Sequence, residues 1–439
     1  MNLPEARILR REDHQISRED IDPDALKVLY RLHSRGFRAF LVGGGVRDLL
    51  LGRTPKDYDI GTDARPAEVL KLFRNSRVIG RRFPIVHILL PRRKFIEVAT
   101  FRALEEEVGD AEGEEEERLL EEADRLLGGD PPSGEEAPPL RKDRRPSPLE
   151  ISKRQNYGSP AEDALRRDLT VNGLFYDIAD FCVIDYVGGL EDLEKRIIRS
   201  IGDAETRFRD DPVRMIRAAR HAARIGFQVE EETWKAILKH RELISSCNKA
   251  RLVEEFYRDL LGGASFSTFA LMKKAGILSA LLPELETFLP DDPEDTAWRR
   301  LRILDRKIAE GEEIPSSLGL GTLFAFPMLD HILSLEKQGS RRSDIGRAAY
   351  RFLKPMALRL GVSRRDTEQL FLISISQRKM LAFLDGGRIP RFLMHKNYFQ
   401  EALHLLEIEA EARGIEMPEV QFTSSKGNKR RRRRRRRAN

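Results

Sequence analysis

The residues best suited to do chemistry are Gly43-Gly44-Gly45-Val46-Arg47-Asp48 and, shortly after them, Asp57-Tyr58-Asp59. Three glycines behind a short apolar strand let the backbone turn tightly and approach a ligand with no Cβ in the way. A helix opening there would point free N–H groups and its positive end at phosphate. Arg47, one turn in, could add a forked donor to the phosphate oxygens. Such a turn also serves as a plain connector, so Gly43, Gly44 and Arg47 alone decide little. Asp57 and Asp59 add more. Two residues apart on a strand, they would project from one face, and their mutual repulsion is relieved by a cation between them. Hard oxygen ligands of this kind suit Mg²⁺, which bridges substrate phosphates. A second ion would clamp the attacking and leaving oxygens of an in-line displacement. A solvated turn with two acids remains the plainer alternative. Glu97, in Ile96-Glu97-Val98-Ala99, is a candidate third carboxylate.

These residues need a scaffold. Ala25, Leu26, Val28, Leu29 and Leu32 recur at helical spacing up to Gly36. Phe40-Leu41-Val42 reads as a buried strand, followed by the glycines and a helix over 46–51. Strands are predicted over 58–60, 85–90 and 95–101, with Pro91-Arg92-Arg93-Lys94 as a hairpin turn and a helix over 66–73. Residues 104–155 turn acidic and then rich in proline, glycine and serine, which predicts a flexible insertion. From Asp203 onward the pattern is helical, including 212–227, 231–244, 251–262 and 266–275, with no repeat of fixed period. The expected fold class is α+β and multidomain, with a mixed α/β head, an all-α neck and body, and a disordered Arg-rich tail. The boundaries are an extension over 1–22, a head over 23–185, a neck over 186–262, a body over 263–420 and a tail over 421–439.

The chain has 439 residues, 34% of them charged, and a net charge of +6. Lys429 and Arg430–Arg437 contribute nine positive charges, which leaves −3 for the remainder. A run such as Arg430, Arg431, Arg432, Arg433 and Arg434 cannot fold on itself. It is well matched to phosphate and would bind a polyanion by counterion release. Two cysteines exclude a disulfide framework or a multi-cysteine zinc site. No apolar run in the sequence stands out as a membrane span, and the N-terminus lacks the plan of a signal peptide. A cytoplasmic location without membrane association is the expectation.

Gly-Gly-x-Val-Arg-Asp followed by Asp-x-Asp resembles the head of the class II nucleotidyltransferases, the CCA-adding enzymes and bacterial poly(A) polymerases. Arg166-Arg167-Asp168-Leu169-Thr170-Val171-Asn172 looks like that family's ribose-recognising segment. The resemblance implies that Asp168 sits beside the sugar and metals and that Arg167 and Asn172 hold ribose and phosphates. Val187 to Leu193 and Ile198 to Gly202 follow as in the family's neck. Asp210-Asp211-Pro212-Val213-Arg214-Met215-Ile216-Arg217 is similar to its base-recognition segment, though the family usually has Glu-Asp in place of Asp210-Asp211. Asp211 and Arg214, three apart on a helix, share a face and can together meet a base's Watson–Crick edge. Arg214, Arg217, Arg220 and Arg224 form a basic stripe by spacing, with Arg217 counted among the nucleotide-binding residues.

The segment 78–88 and Ala250-Arg251-Leu252-Val253-Glu254-Glu255 resemble the polymerase branch. His87, alone on an apolar strand, is read as structural. The resemblance implies transfer of AMP from ATP, aided by two Mg²⁺ ions, to RNA 3′ ends in mRNA, decay intermediates or tRNA, with release of pyrophosphate. The alternatives are a tRNA nucleotidyltransferase adding CCA or its terminal A, and a non-catalytic RNA-binding adaptor.

Overall fold

The computed structural model describes residues 3–80, 84–91, 94–104, 157–339 and 342–418, without side-chain detail for 342 and 343. The expected insertion (from residue 105) and the Arg-rich tail, including Arg430–Arg434, lie outside the described residues. The structure divides into two compact units, through Ala204 and from Glu205.

The first unit is built on a mixed sheet. Its strands are β1 (Arg7–Leu9), β2 (Ala39–Val42), β3 (Asp59–Thr62), β4 (Ser76–Ile79), β5 (Ile85–Leu89), β6 (Phe95–Thr100), β7 (Leu174–Asp177) and β8 (Cys182–Asp185), in the order β1-β8-β7-β2-β3-β6-β5-β4. The β3–β6 pair is parallel and the other pairs in the sheet are antiparallel. Every residue of β2 is buried, as a central strand covered on both faces requires. Its Phe40 packs with Phe101 and Phe175, ring centroids 5.9–6.3 Å apart. Helix α1 (Pro23–His33) starts where Asp22 Oδ1 accepts the amides of Asp24 and Ala25. It buries Ala25, Val28, Leu29 and Leu32. Helix α2 (Gly44–Leu50) follows β2, and α3 (Pro66–Leu72) follows β3. Sequence reading overlooked β1, β4, β7 and β8, because they are short and lack a long alternating run.

Past the insertion, Gly158 N–H donates to Phe101 O at 2.9 Å, and Arg102 pairs with Tyr157 in a single bridge. A Cβ on Gly158 would lie 2.5 Å from the backbone of Arg102 and Ala103, so only glycine lets the two backbones approach this closely. Helix α4 (Pro160–Arg166) then leads, through a 3-10 turn at Thr170–Asn172, into β7.

The second unit is helical. Val213–Ile225 packs against Ser265–Lys274 and Lys249–Leu261. Ser316–Lys337 is long and apolar enough to cross a membrane by length and composition, which corrects the expectation from sequence that no such run exists. Of its most apolar window 67% is buried against neighbouring helices, the pattern of a core helix. Arg300 and Glu409 form a buried ion pair of 2.9 Å beside it.

Candidate active site

The glycine turn is where the strongest local constraints meet. Gly43 has φ 71° and ψ −133°, a conformation open to glycine. Its N–H donates to Leu174 O at 2.9 Å, and a Cβ there would lie 2.9 Å from Arg167 Nη1. The turn is therefore closed by β7 on one side and a guanidinium on the other. The helix behind it begins at Gly44, two residues earlier than expected, so Gly44 and Gly45 belong to its first turn.

Arg47 sits in that first turn and is 1% exposed. Its Nε and Nη2 donate to Asp48 Oδ1 at 2.9 and 2.7 Å, and its Nη1 donates to Asn172 Oδ1 at 2.7 Å. The structure thus places Arg47 inside the protein, linking α2 to the turn before β7. Asp48 belongs to the motif but had no role assigned from the sequence. The available signal was a buried helix carrying an arginine, which demands a buried counter-charge. Asn172 Nδ2 in turn donates to Asp168 Oδ1 at 3.4 Å, which also accepts the Leu169 amide at 2.9 Å. Arg167 donates from Nη1 to Asn172 O at 3.1 Å and from Nε and Nη2 to Asp163 Oδ2. Its guanidinium lies 5.3 Å from the Phe175 ring centroid. Gly43, Arg47, Arg167, Asp168 and Asn172, distant in sequence, therefore form one hydrogen-bonded group.

The acids fall differently from expectation. β3 starts at Asp59, because its partner β2 ends where Val42 faces Asp59 and the chain turns away at Gly43. Asp57 consequently lies in the loop ahead of the strand and is exposed, while Asp59 is half-buried. Strand alternation does not put them on one face. What joins Asp57 to the site is its backbone, whose carbonyl lies 3.4 Å from a Cβ built on Gly45. Tyr58 donates its hydroxyl to Asp20 O at 3.1 Å and steadies the loop.

The register places Glu97 directly beside Asp59 on the parallel neighbour β6, and His87 beside Glu97 on β5. His87 Nε2 is 3.2 Å from Glu97 Oε1, and its ring stacks on Phe95 at 4.4 Å. Burial, and then the nearby Arg77 charge, hold the His87 imidazole below its ordinary pKa. Among the described residues, no three of His, Cys, Asp and Glu gather as a ready-made metal cluster. Asp57 and Asp59 offer hard oxygen donors without sulfur, a set that fits Mg²⁺ completed by substrate phosphate and water.

A second group lies in the helical unit. Arg214 Nε is 3.5 Å from Asp211 Oδ2, so the expected pair is formed. Arg251 Nη2 donates to the same Oδ2 at 2.9 Å, a contact that the sequence offered no means of finding. Arg217 Nη1 bonds Glu255 Oε1 at 3.2 Å. Arg220 does not join an exposed basic stripe. It is 9% exposed and is held by Glu255 and by Asp259 Oδ1, the latter at 2.7 Å. Helical spacing set it beside Arg217, but its guanidinium turns into the seam between two packed helices. Burial raises the Asp259 carboxyl to about 7 even beside Arg220. Burial also opposes ionisation of Glu255, but Arg220, Arg217 and Arg258 outweigh it and hold that carboxyl below its usual range.

The chain matches two family models, the Poly A polymerase head domain over residues 39–199 and the Probable RNA and SrmB-binding site of polymerase A over residues 226–289. It is 36% identical to Poly(A) polymerase I of Salmonella typhi over 422 residues, covering 93% of this chain and 82% of that protein. A CCA-adding enzyme of Bacillus velezensis is 33% identical over 257 residues, 58% of this chain and 55% of that protein. In fold, the chain resembles the Bacillus stearothermophilus CCA-adding enzyme solved in complex with CTP, with a TM-score of 0.53, 22% identity and coverage of 90% of this chain and 82% of that one. The chain therefore belongs to the bacterial poly(A) polymerase family of nucleotidyltransferases.

Proposed function

We infer that this protein is a template-independent poly(A) polymerase that transfers AMP from ATP to RNA 3′ ends and releases pyrophosphate. The observation that carries this reading is the extent of similarity. Identity with poly(A) polymerases runs through both units and 93% of the chain, whereas the CCA-adding relative aligns over 58%. Retention of Asp57, Asp59, Arg167 and Asp168 supports an enzyme over an inert adaptor.

In this reading Asp57 and Asp59 would hold Mg²⁺, with two ions expected. When bound, the metal supplies charge neutralisation at the triphosphate and makes the attacking 3′-hydroxyl more acidic. The chain's own residues position the reactants. Gly43 and Gly44 let Arg167 and Arg47 close on the turn at the start of α2, which would meet the triphosphate. Asp168, oriented by Leu169 N–H and the Asn172 amide, faces the ribose. Arg47 braces Asn172 from inside, and Arg167 braces the turn. Asp211, fixed by Arg214 and Arg251, presents an acceptor to the adenine edge, and Arg214 a donor. Arg217, tied to Glu255, supports that helix. The Arg-rich run at 430–437 holds RNA through its backbone. We propose a cytoplasmic location and a part in RNA 3′-end processing.

The deciding experiment supplies Mg²⁺ and one nucleotide at a time with two RNAs, a generic oligonucleotide and a tRNA lacking its CCA end. Long ladders with ATP on both are expected. Addition confined to the tRNA and stopping after CCA or its terminal A would overturn the reading.

A further inference from the structure

Helix Arg342–Leu360 lies in the second unit, outside both stretches matched by the family models. Its inner side is apolar, with Ile345, Ala349, Leu353, Met356 and Leu360 buried. Phe352 stacks on Phe288 and His331 at 5.6 and 5.2 Å. Its outer side carries Arg347, Tyr350, Arg351, Lys354 and Leu358, all exposed, at spacings that form one stripe on an α-helix.

Several other surface cations on this unit are met by carboxylates. Arg258 pairs with Glu254, Lys239 with Glu205, Arg302 with Glu294, Arg306 with Glu411 and Arg364 with Glu368. Arg347, Arg351 and Lys354 form no ion pair among the described residues, and the exposed acid one turn away is Asp344. In their midst Tyr350 is 41% exposed. Its ring is held edge-on by Phe371, centroids 6.0 Å apart, with Lys354 Nζ 5.7 Å from its centre. Uncompensated cations around an anchored aromatic plate are what single-stranded nucleic acid requires, since bases stack on the ring while cations follow the phosphates. The core of a protein interface is depleted in charged residues, whereas three cations surround this ring.

We propose that this face is a second RNA-binding surface, engaging the substrate strand upstream of the reacting 3′ end. It rests on RNA being the substrate. From Arg347 to Lys354 the stripe spans about 10 Å, the spacing of about three stacked nucleotides.

The test uses the full chain, with fluorescence anisotropy on short and long oligoadenylates across a salt titration. Replacing all three cations (Arg347→Gln, Arg351→Gln, Lys354→Gln) should flatten the slope of log affinity against log salt by about 2 for the long strand. Tyr350→Ala should weaken long-strand binding about tenfold or more, and Tyr350→Phe should restore it. AMP addition to the short strand should stay at the unaltered protein's level in each. An unchanged slope together with unaltered Tyr350→Ala affinity would overturn the proposal. So would loss of short-strand extension in parallel with long-strand binding. If the unaltered chain adds no AMP yet the slope shifts as stated, the polymerase reading fails and the RNA contact stands.

Discussion

Arg47 offers the sharpest test of how the site is built. The sequence suggests a phosphate donor; the structure shows a buried guanidinium whose bonds run to Asp48 and Asn172. If that is its work, Arg47→Ala removes the guanidinium that pairs with a nearly buried carboxylate and donates to an amide oxygen. Breaking a buried pair in this way costs about 3–5 kcal/mol. For a unit of this size each kcal/mol moves the melting point by about 2–4 °C, so the head should melt roughly 6–20 °C lower. Arg47→Lys keeps the charge, but one ammonium cannot span both partners, so an intermediate loss is expected. Both tryptophans, Trp234 and Trp298, lie in the second unit, and their fluorescence gives an internal control. The head is followed by far-ultraviolet circular dichroism and by hydrogen exchange over 39–50, where protection should fall. An Arg47→Ala protein with unchanged head stability and weakened ATP binding would refute the reasoning and assign the side chain to the triphosphate.

Asp59→Asn should lower AMP addition on the order of a thousandfold, as expected when metal-assisted stabilisation worth several kcal/mol is lost; thermal melting should hold, and near-normal activity in single-turnover assays would remove Asp59 from the metal site. Asp259 has a folded pKa raised to about 7 from 3.8, so the native state holds the extra proton between those values. That contribution is complete below about pH 4 and is lost as pH rises through about 7. Asp259→Asn should therefore flatten the pH dependence of the second unit's urea midpoint from pH 5 to 8, and an unaltered profile would show that Asp259 does not titrate there. Glu255, held low, acts in the acidic window below about 4.5 and leaves this range clear. Deleting residues 429–437 should weaken RNA affinity and reduce its salt dependence; identical salt titrations would remove the tail from binding.

Local features of the site were legible in the sequence. A run of apolar residues ending in three glycines could hardly be anything but a strand and a tight turn, and it is. A spacing of three likewise located the pairing of Asp211 with Arg214, although Asp211 stands just ahead of the helix Val213–Ile225 and not on it. Three features were out of reach for physical reasons. Where β3 starts depends on where its partner β2 stops, so the period of two could not assign Asp57 correctly. The placement of Glu97 beside Asp59 is a register between parallel strands, set by tertiary packing. Burial of Arg47 and Arg220 reverses the usual rule that arginine is exposed, and only their carboxylate partners, one adjacent and two far along the chain, make it affordable.

The seam where Gly158 returns against Phe101 bears on how this fold can diversify. The backbone leaves the sheet after Ala103 and comes back at Tyr157, the two ends held by the Arg102–Tyr157 bridge and by Arg166 donating to Ala103 O. Because the ends are clamped by their own bonds, any flexible linker joined to them costs closure entropy that grows with the logarithm of its length. Joined across this seam, a flexible linker of about six residues should close about 2 kcal/mol more favourably than a flexible one of about fifty. The seam is in effect a splice point: lineages, or protein engineers, can lengthen, trim or exchange the segment, or graft a reporter domain there, while the catalytic framework is inherited unchanged.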